Sequence, residues 1–237
     1  MDRWILLLAA SMLASTAGAR QKEAEPTAGT TQWTFAVSRA GKAAGRLEVG
    51  IARRDGETFA VSACYPGVSV AKALPKKAKP AVRSYAELGQ GGTLGKYKRW
   101  EPRGKGEQYW FVFPFEGKVK LRYEKGPGDK GKVKVLGEGD RVVPLDREQP
   151  QLAWLLAGPG KPAETACAGA NPAVFGKAQV RRSGSEEVDL YGGGKATLDR
   201  WVATGDCGDF SVYLDASGDP VVMLSGQTRY DRVAAKE

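Results

Sequence analysis

Apolar and polar residues alternate with a period of two along most of this chain, the signature of strands with one wet and one buried face. Trp33, Phe35 and Val37 alternate with Gln32, Thr34 and Ser38, and Leu47, Val49 and Ile51 alternate with Arg46 and Glu48. Asp55-Gly56 is a tight-turn signal, and Phe59, Val61, Ala63 and Tyr65 resume the pattern after it, so residues 33–65 predict a three-stranded meander. Residues 66–81 interrupt it with three prolines and four lysines, which predicts a solvated loop or a loosely paired edge. Strands are expected again at 82–88, 93–101 and 108–115, and around Val119-Leu121-Tyr123 and Val133-Val135, where the alternating partners are Lys118, Lys120, Arg122, Lys132 and Lys134. Residues 160–176 carry no clear pattern. Further strands are expected at 179–182, 187–191, 197–203, 210–214, 221–224 and 228–233. The fold class is therefore all-β with one short helix, an antiparallel curved sheet forming an incomplete barrel or half-barrel.

One strand departs from the alternation. Gln108–Phe115 (QYWFVFPF) is apolar on both sides, with Tyr109, Phe111, Phe113 and Phe115 on one and Trp110 and Val112 on the other. Such a strand is expected in a sheet covered from both directions. The natural cover is the one helix the pattern predicts, Gln149–Ala157, where Leu152, Leu155 and Leu156 cluster with Trp154 beside them. Pro150 suits a first helical position, Asp146 or Gln149 offers a cap, and Gly158-Pro159 stops it. A helix this short does not persist alone in water, so it is expected to dock on the concave face or mouth, over the aromatic strand.

Composition adds an address. Met1–Ala19 reads as a secretory signal peptide, with Arg3, an apolar run from Trp4 to Ala10 and a small-residue site at Ala17-Gly18-Ala19. The run is about half of the roughly 20 apolar residues a spanning helix needs, so no transmembrane segment is expected after cleavage. Residues 20–32 are polar and aperiodic, a flexible leader, and 33–237 form a single β domain without a Pro/Ser-rich divider. The expected location is periplasmic or secreted.

Charge and missing residue types narrow the chemistry. The net charge is +9, and residues 72–134 alone carry +11. There is no histidine, which removes His-dependent triads, the usual zinc sites and haem ligation by His. Ser183-Gly184-Ser185 lies in a charged turn, and the Asp-rich segments around Asp206, Asp209, Asp215 and Asp219 read as hairpin turns rather than calcium loops. No catalytic residue, metal site or cofactor is assigned, and the protein is expected to be non-enzymatic; a histidine-independent hydrolase with converging carboxylates is the remaining enzymatic reading. Nucleic acid is not an expected partner, since no groove-reading motif is present. Of the three cysteines, Cys167 and Cys207 lie in Gly-rich stretches and Cys64 within a strand. Cys167 with Cys207 is the favoured disulfide, although spacing alone leaves all three pairings open.

Two surfaces are candidates for binding. Tyr109, Phe111, Phe113, Phe115 and Trp154 are expected to line the concavity and hold a lipid or other amphipathic envelope molecule. Lys118, Lys120, Arg122, Lys132 and Lys134 are expected to share one sheet face that contacts anionic polysaccharide or lipid headgroups. The order of WTFAVSRAGKAAGRLEV (33–49), RSYAELGQGGTLGKYKRW (83–100), a strand pair, a Leu-rich helix and DFSVYLDASGDPVVML (209–224) resembles a family of exported bacterial β-proteins of unknown function. More distantly, the layout is similar to periplasmic lipoprotein-carrier half-barrels. That likeness implies an acyl chain enclosed beneath a helix.

Overall fold

From residue 31 to 138, and again from 164 to 233, each alternating segment pairs antiparallel with the next in sequence, the arrangement that hairpin connections favour. The computed structural model describes residues 31–89, 92–104, 106–126, 129–139, 142–158, 163–169 and 173–234. The expected signal peptide 1–19, residues 20–30 of the expected leader, and Pro159 lie outside them. The strands are β1 (Thr31–Arg39), β2 (Lys42–Arg54), β3 (Glu57–Pro66), β4 (Val82–Leu88), β5 (Leu94–Arg103), β6 (Gly106–Phe115), β7 (Lys118–Glu124) and β8 (Lys132–Glu138). After a short β9 (Val142–Pro144) and a single helical turn α1 (Gln151–Trp154) come β10 (Glu164–Gly169), β11 (Val174–Asp189), β12 (Lys195–Gly205), β13 (Phe210–Leu214), β14 (Pro220–Ser225) and β15 (Thr228–Val233).

All fifteen strands form one sheet, in the order β8-β7-β6-β5-β4-β3-β2-β1-β15-β14-β13-β12-β11-β10-β9. β1 and β15 join its two halves antiparallel, with Val37 opposite Tyr230. The sheet curls until β8 approaches β11 and β9 approaches β5, but neither approach adds a ladder pairing. At the β8–β11 seam a Cβ on Gly137 would run into the Phe175 ring, so glycine there lets the two strands come together. The result is the expected incomplete barrel.

Its interior is filled by the chain itself. Leu145, Leu152, Ala153, Trp154, Leu155 and Leu156 are buried in one core with Phe35, Leu47, Ile51, Ala86, Val112, Phe210 and Met223 from strands on both halves. At roughly 1.5–3 kcal/mol per fully buried large side chain, the plug contributes on the order of 10 kcal/mol before conformational entropy is counted. The helix inside it is shorter than expected. Backbone bonds on either side of α1, such as Leu152 N to the Gln149 carbonyl and Ala157 N to the Trp154 carbonyl, close tighter three-residue turns. Neither expected residue caps the helix with its side chain: no side-chain oxygen accepts from the α1 backbone N–H groups, Asp146 and Gln149 reaching Tyr97 and Ser84 of the barrel wall.

Four further boundaries differ from the sequence pattern. Thr31 and Gln32, expected in the leader, belong to β1 and pair with Ile51 and Gly50. Residues 160–176, left without assignment, contain β10 and the start of β11. β9, which was not anticipated, pairs in parallel with β10. The two strands expected at 179–182 and 187–191 are one long β11, bent by a bulge between Arg182 and Gly184.

The favoured disulfide is present: Cys167 on β10 is bonded to Cys207 in the turn after β12, and Cys64 is free. Beside it, Gly205 ends β12 at φ +149°, where a Cβ would strike the Lys177 carbonyl oxygen of β11. Gly205→Ala is expected to cost roughly 2–3 kcal/mol, since both the backbone conformation and the close approach penalise a side chain. Urea unfolding of the variant checks this; a loss below about 0.5 kcal/mol, the range of an ordinary surface change, would contradict it.

Candidate functional site

In β6 only Trp110 and Val112 join the core; Tyr109, Phe111 and Phe113 are half-buried and Phe115 is exposed. Since successive side chains of a strand point to opposite faces, the four aromatics lie on the outer, convex side of the curl. This corrects the expectation that they line the concavity. α1 packs on β13 and β14 rather than over β6, so the aromatic strand is covered by protein on one side only.

What half-buries the aromatics is their neighbours' basic side chains. Residues opposite each other on adjacent strands share a face. Phe111 lies between Lys98 of β5 and Arg122 of β7; beyond them, Lys98 faces Tyr85 of β4 and Arg122 faces Val133 of β8. A second row runs from Phe113 through Lys120 to Val135, and a third from Phe115 through Lys118 to Glu138. The Lys98 ammonium lies 5.5 Å from the Phe111 ring centre and the Lys120 ammonium 4.0 Å from that of Phe115, while the Phe111 and Phe113 rings stack at 4.6 Å. Arg83 over Trp100 and Lys96 over Tyr85 extend the pattern to β4. Each such contact is worth about 0.5–1 kcal/mol at an exposed site, and the lysine stems shield ring surface that would otherwise meet water. Tyr109 closes the face at its other end, where burial and then its hydrogen bond to Glu124 push its hydroxyl up to about 12.

The basic residues divide between the two sides. Lys118, Lys120 and Arg122 are on the outer face, but Lys132 lies opposite Tyr123 and Lys134 opposite Leu121, on the inner side at the sheet edge. The expected single lysine face is thereby corrected. A bulge at Leu136, seen as Val119 pairing with Gly137 while Lys120 pairs with Val135, shifts the register of β8. Without it Lys134 would stand opposite Arg122, an unfavourable like-charge pair. With it, Val133 and Val135 join the outer face.

Inside the barrel a polar cluster holds the plug. Arg99 of β5 is 1 % exposed and donates from Nη1 to both oxygens of Asp146, at 2.6 and 2.7 Å, and from Nε to Glu101 at 2.9 Å. Its Nη2 meets Glu101 and Glu148, and the Tyr97 hydroxyl donates to Asp146 at 2.8 Å. Burial alone would lower the Arg99 pKa, but Asp146 outweighs it and keeps the guanidinium charged; burial and Asp146 together raise Tyr97. Gln149 accepts from Ser62 of β3, Ser84 of β4 and Gln151, and the Ser225 hydroxyl of β14 donates to the Arg147 carbonyl. Cys64 borders this cluster, and burial, with a smaller effect from Glu148, pushes its thiol up to about 11, too high for a nucleophile at neutral pH. The cluster ties the plug to β3, β4, β5 and β14, and Asp146 also borders a space of only about 40 Å³ that reaches Cys207.

Trp154 is also away from the aromatic strand. It is buried edge-on against Trp33 of β1, at 5.1 Å between ring centres, and donates from Nε1 to the Gly218 carbonyl at 3.0 Å. It borders an open cleft of about 200 Å³ with Arg53, Thr58, Leu88 and Leu155. A second space, of about 40 Å³, lies beside Cys207. Both are smaller than the roughly 300–1,000 Å³ of typical small-molecule sites. Among the described residues no group of three or more Cys, Asp or Glu side chains is placed to hold a metal ion, and no helix is long and apolar enough to cross a membrane.

The sequence pattern missed Lys98, Val133 and Val135 as members of the outer face, and Arg99 and Asp146 as a buried pair. Lys96, Lys98 and Trp100 have the same parity, which signals an outer face with a mixed character. For Arg99 the available signal is its alternation with Lys98 beside the inward Tyr97.

No protein-family model matches the chain, and no curated protein matches its sequence. A crystal structure of a β-barrel-like protein of the domain of unknown function DUF1849 from Brucella abortus is similar over 85 % of this chain and 94 % of that one, with 10 % identity and a TM-score of 0.48.

Proposed function

We propose that this is a non-enzymatic envelope protein whose outer β5–β8 face binds anionic amphipathic molecules. The observation that carries the reading is the convergence of the aromatic strand and the basic strand on one outward surface, with cations over rings on both sides of β6. A disulfide persists in an oxidising compartment, which supports export along with the signal-like Met1–Ala19. Energetics support modest affinity. Three or four basic contacts at about 1 kcal/mol each give only millimolar binding. Covering the exposed parts of Phe115, Val133 and Val135 adds roughly 1 kcal/mol apiece, which brings the total to tens of micromolar.

Monomeric lysophosphatidylglycerol and its zwitterionic choline analogue, titrated in parallel, test the reading. The anionic lipid is expected to bind about tenfold more tightly, to weaken as salt is raised, and to lose that advantage in Lys118→Glu/Lys120→Glu. Equal affinities for the two lipids, or no binding of either, would overturn it.

A further inference from the structure

We propose that the outer face docks on the surface of an anionic bilayer, with the β6–β8 rim dipping below the headgroups and the basic side chains meeting the lipid phosphates. This rests on the reading above and names the physical form of the partner. The face is the convex side of a curled sheet, and the clefts beside Trp154 and beside Cys207 lie elsewhere. A convex face cannot wrap a single acyl chain, and most of a lone chain's surface would stay in water. A lipid layer solves this, since its apolar interior is already assembled and presents a broad anionic plane.

The placement of exposed apolar residues fits that geometry. Among the described residues four large apolar side chains are left exposed: Phe115 at 48 %, Val133 at 59 %, Val135 at 48 % and Tyr191 at 47 %. The first three all belong to the outer face, at the β6–β7 turn and along β8, the last strand of the ladder, which β11 approaches without pairing. Inboard of this rim lie Lys118, Lys120 and Arg122, then the half-buried Phe111 and Phe113, then Lys98. A cation one strand in from an apolar rim is where a phosphate would sit if the rim entered the layer. The Lys120 ammonium lies over the Phe115 ring, 4.0 Å from its centre, which sets a cation directly beside the exposed apolar rim. Charge and apolar insertion are each too weak alone, and their combination is the two-signal logic of reversible membrane attachment.

Cosedimentation with phosphatidylglycerol/phosphatidylcholine vesicles, compared with pure phosphatidylcholine vesicles, is the test. It is run on the full mature chain and on Val133→Ser/Val135→Ser, whose exposed positions leave the core intact; matched melting curves confirm folding. A polarity-sensitive dye is placed on Val133→Cys and, as a distant control, on Lys42→Cys, with Cys64 left in place because its thiol is half-buried and poorly ionised. The expected result is binding to anionic vesicles only, at least roughly tenfold weaker partitioning of the serine variant, and a blue shift at position 133 but not at 42. Binding to anionic vesicles with no dye shift and unchanged partitioning of the serine variant would overturn the insertion while leaving the anionic-amphiphile reading standing. Binding to lysophosphatidylglycerol without binding to vesicles would do the same. Loss of both lysolipid and vesicle binding would overturn both. Binding to heparin in place of vesicles would identify the partner as an anionic polysaccharide and overturn the bilayer.

Discussion

Arg99→Ala is expected to destabilise the protein by about 3–5 kcal/mol, the usual result of removing one partner from a buried ion pair. Asp146 is fully enclosed, and without the guanidinium its carboxylate keeps only the Tyr97 hydroxyl and the Glu148 backbone N–H. A buried carboxylate that loses its counter-charge bears the desolvation cost of burial uncompensated. Asp146→Ala is expected to cost a similar amount, since it leaves the guanidinium of Arg99 with Glu101 and Glu148 alone. The double variant should lose clearly less than the sum of the two, because no uncompensated charge of the pair remains. Urea unfolding of the two single variants and the double supplies the coupling energy. Additive losses would mean that the plug is held by its leucines and tryptophan, and that the ion pair contributes little to the anchoring.

Cys167→Ser/Cys207→Ser is expected to lower stability by about 3–4 kcal/mol, the chain-entropy value for a loop of this length. The two cysteines are 40 residues apart, and their bond ties β10, next to the sheet's β9 end, to the turn after β12. For a domain of this size that corresponds to a fall in Tm of roughly 6–16 °C. The same shift should follow reduction of the unmodified protein, whereas Cys64→Ser should respond to reductant as the parent does. Differential scanning calorimetry with and without reductant checks all three; an unchanged Tm after verified reduction would show that the loop is already constrained by β11 and β12 alone.

The strands were legible because each is encoded locally, in alternation such as Phe35-Val37 or Leu47-Val49-Ile51 and in turns such as Asp55-Gly56. The destination of each face was not. QYWFVFPF reads the same whether its outer aromatics are covered by a helix or by lysine stems, and only the pairing with Lys98 and Lys120 on other strands decides. Similarly, Lys96, Lys98 and Arg99 all read as solvent-facing. The carboxylate that draws Arg99 inward is 47 residues away, in a segment whose sequence gave it the look of a helix cap. The one-residue bulge at Leu136 had no strong local signal and reversed the sides of Lys132, Lys134, Val133 and Val135. The Gly-rich flanks of the two cysteines have different meanings: Cys207 lies in a turn, but Cys167 lies within β10, between Val143 of β9 and Gly176 of β11. Trp154, expected to line the concavity beside the aromatic strand, packs against Trp33 of β1 instead, because nothing local specifies which half of a curled sheet a short buried helix will meet.

Lysine acetylation footprinting on phosphatidylglycerol-containing vesicles tests most directly whether the outer β5–β8 face is the binding surface. Lys98, Lys118 and Lys120 should be acetylated several-fold more slowly on the vesicles than in free protein, while Lys42, Lys177 and Lys195 react as before. Uniform rates across all six, or protection confined to the last three, would contradict the assignment.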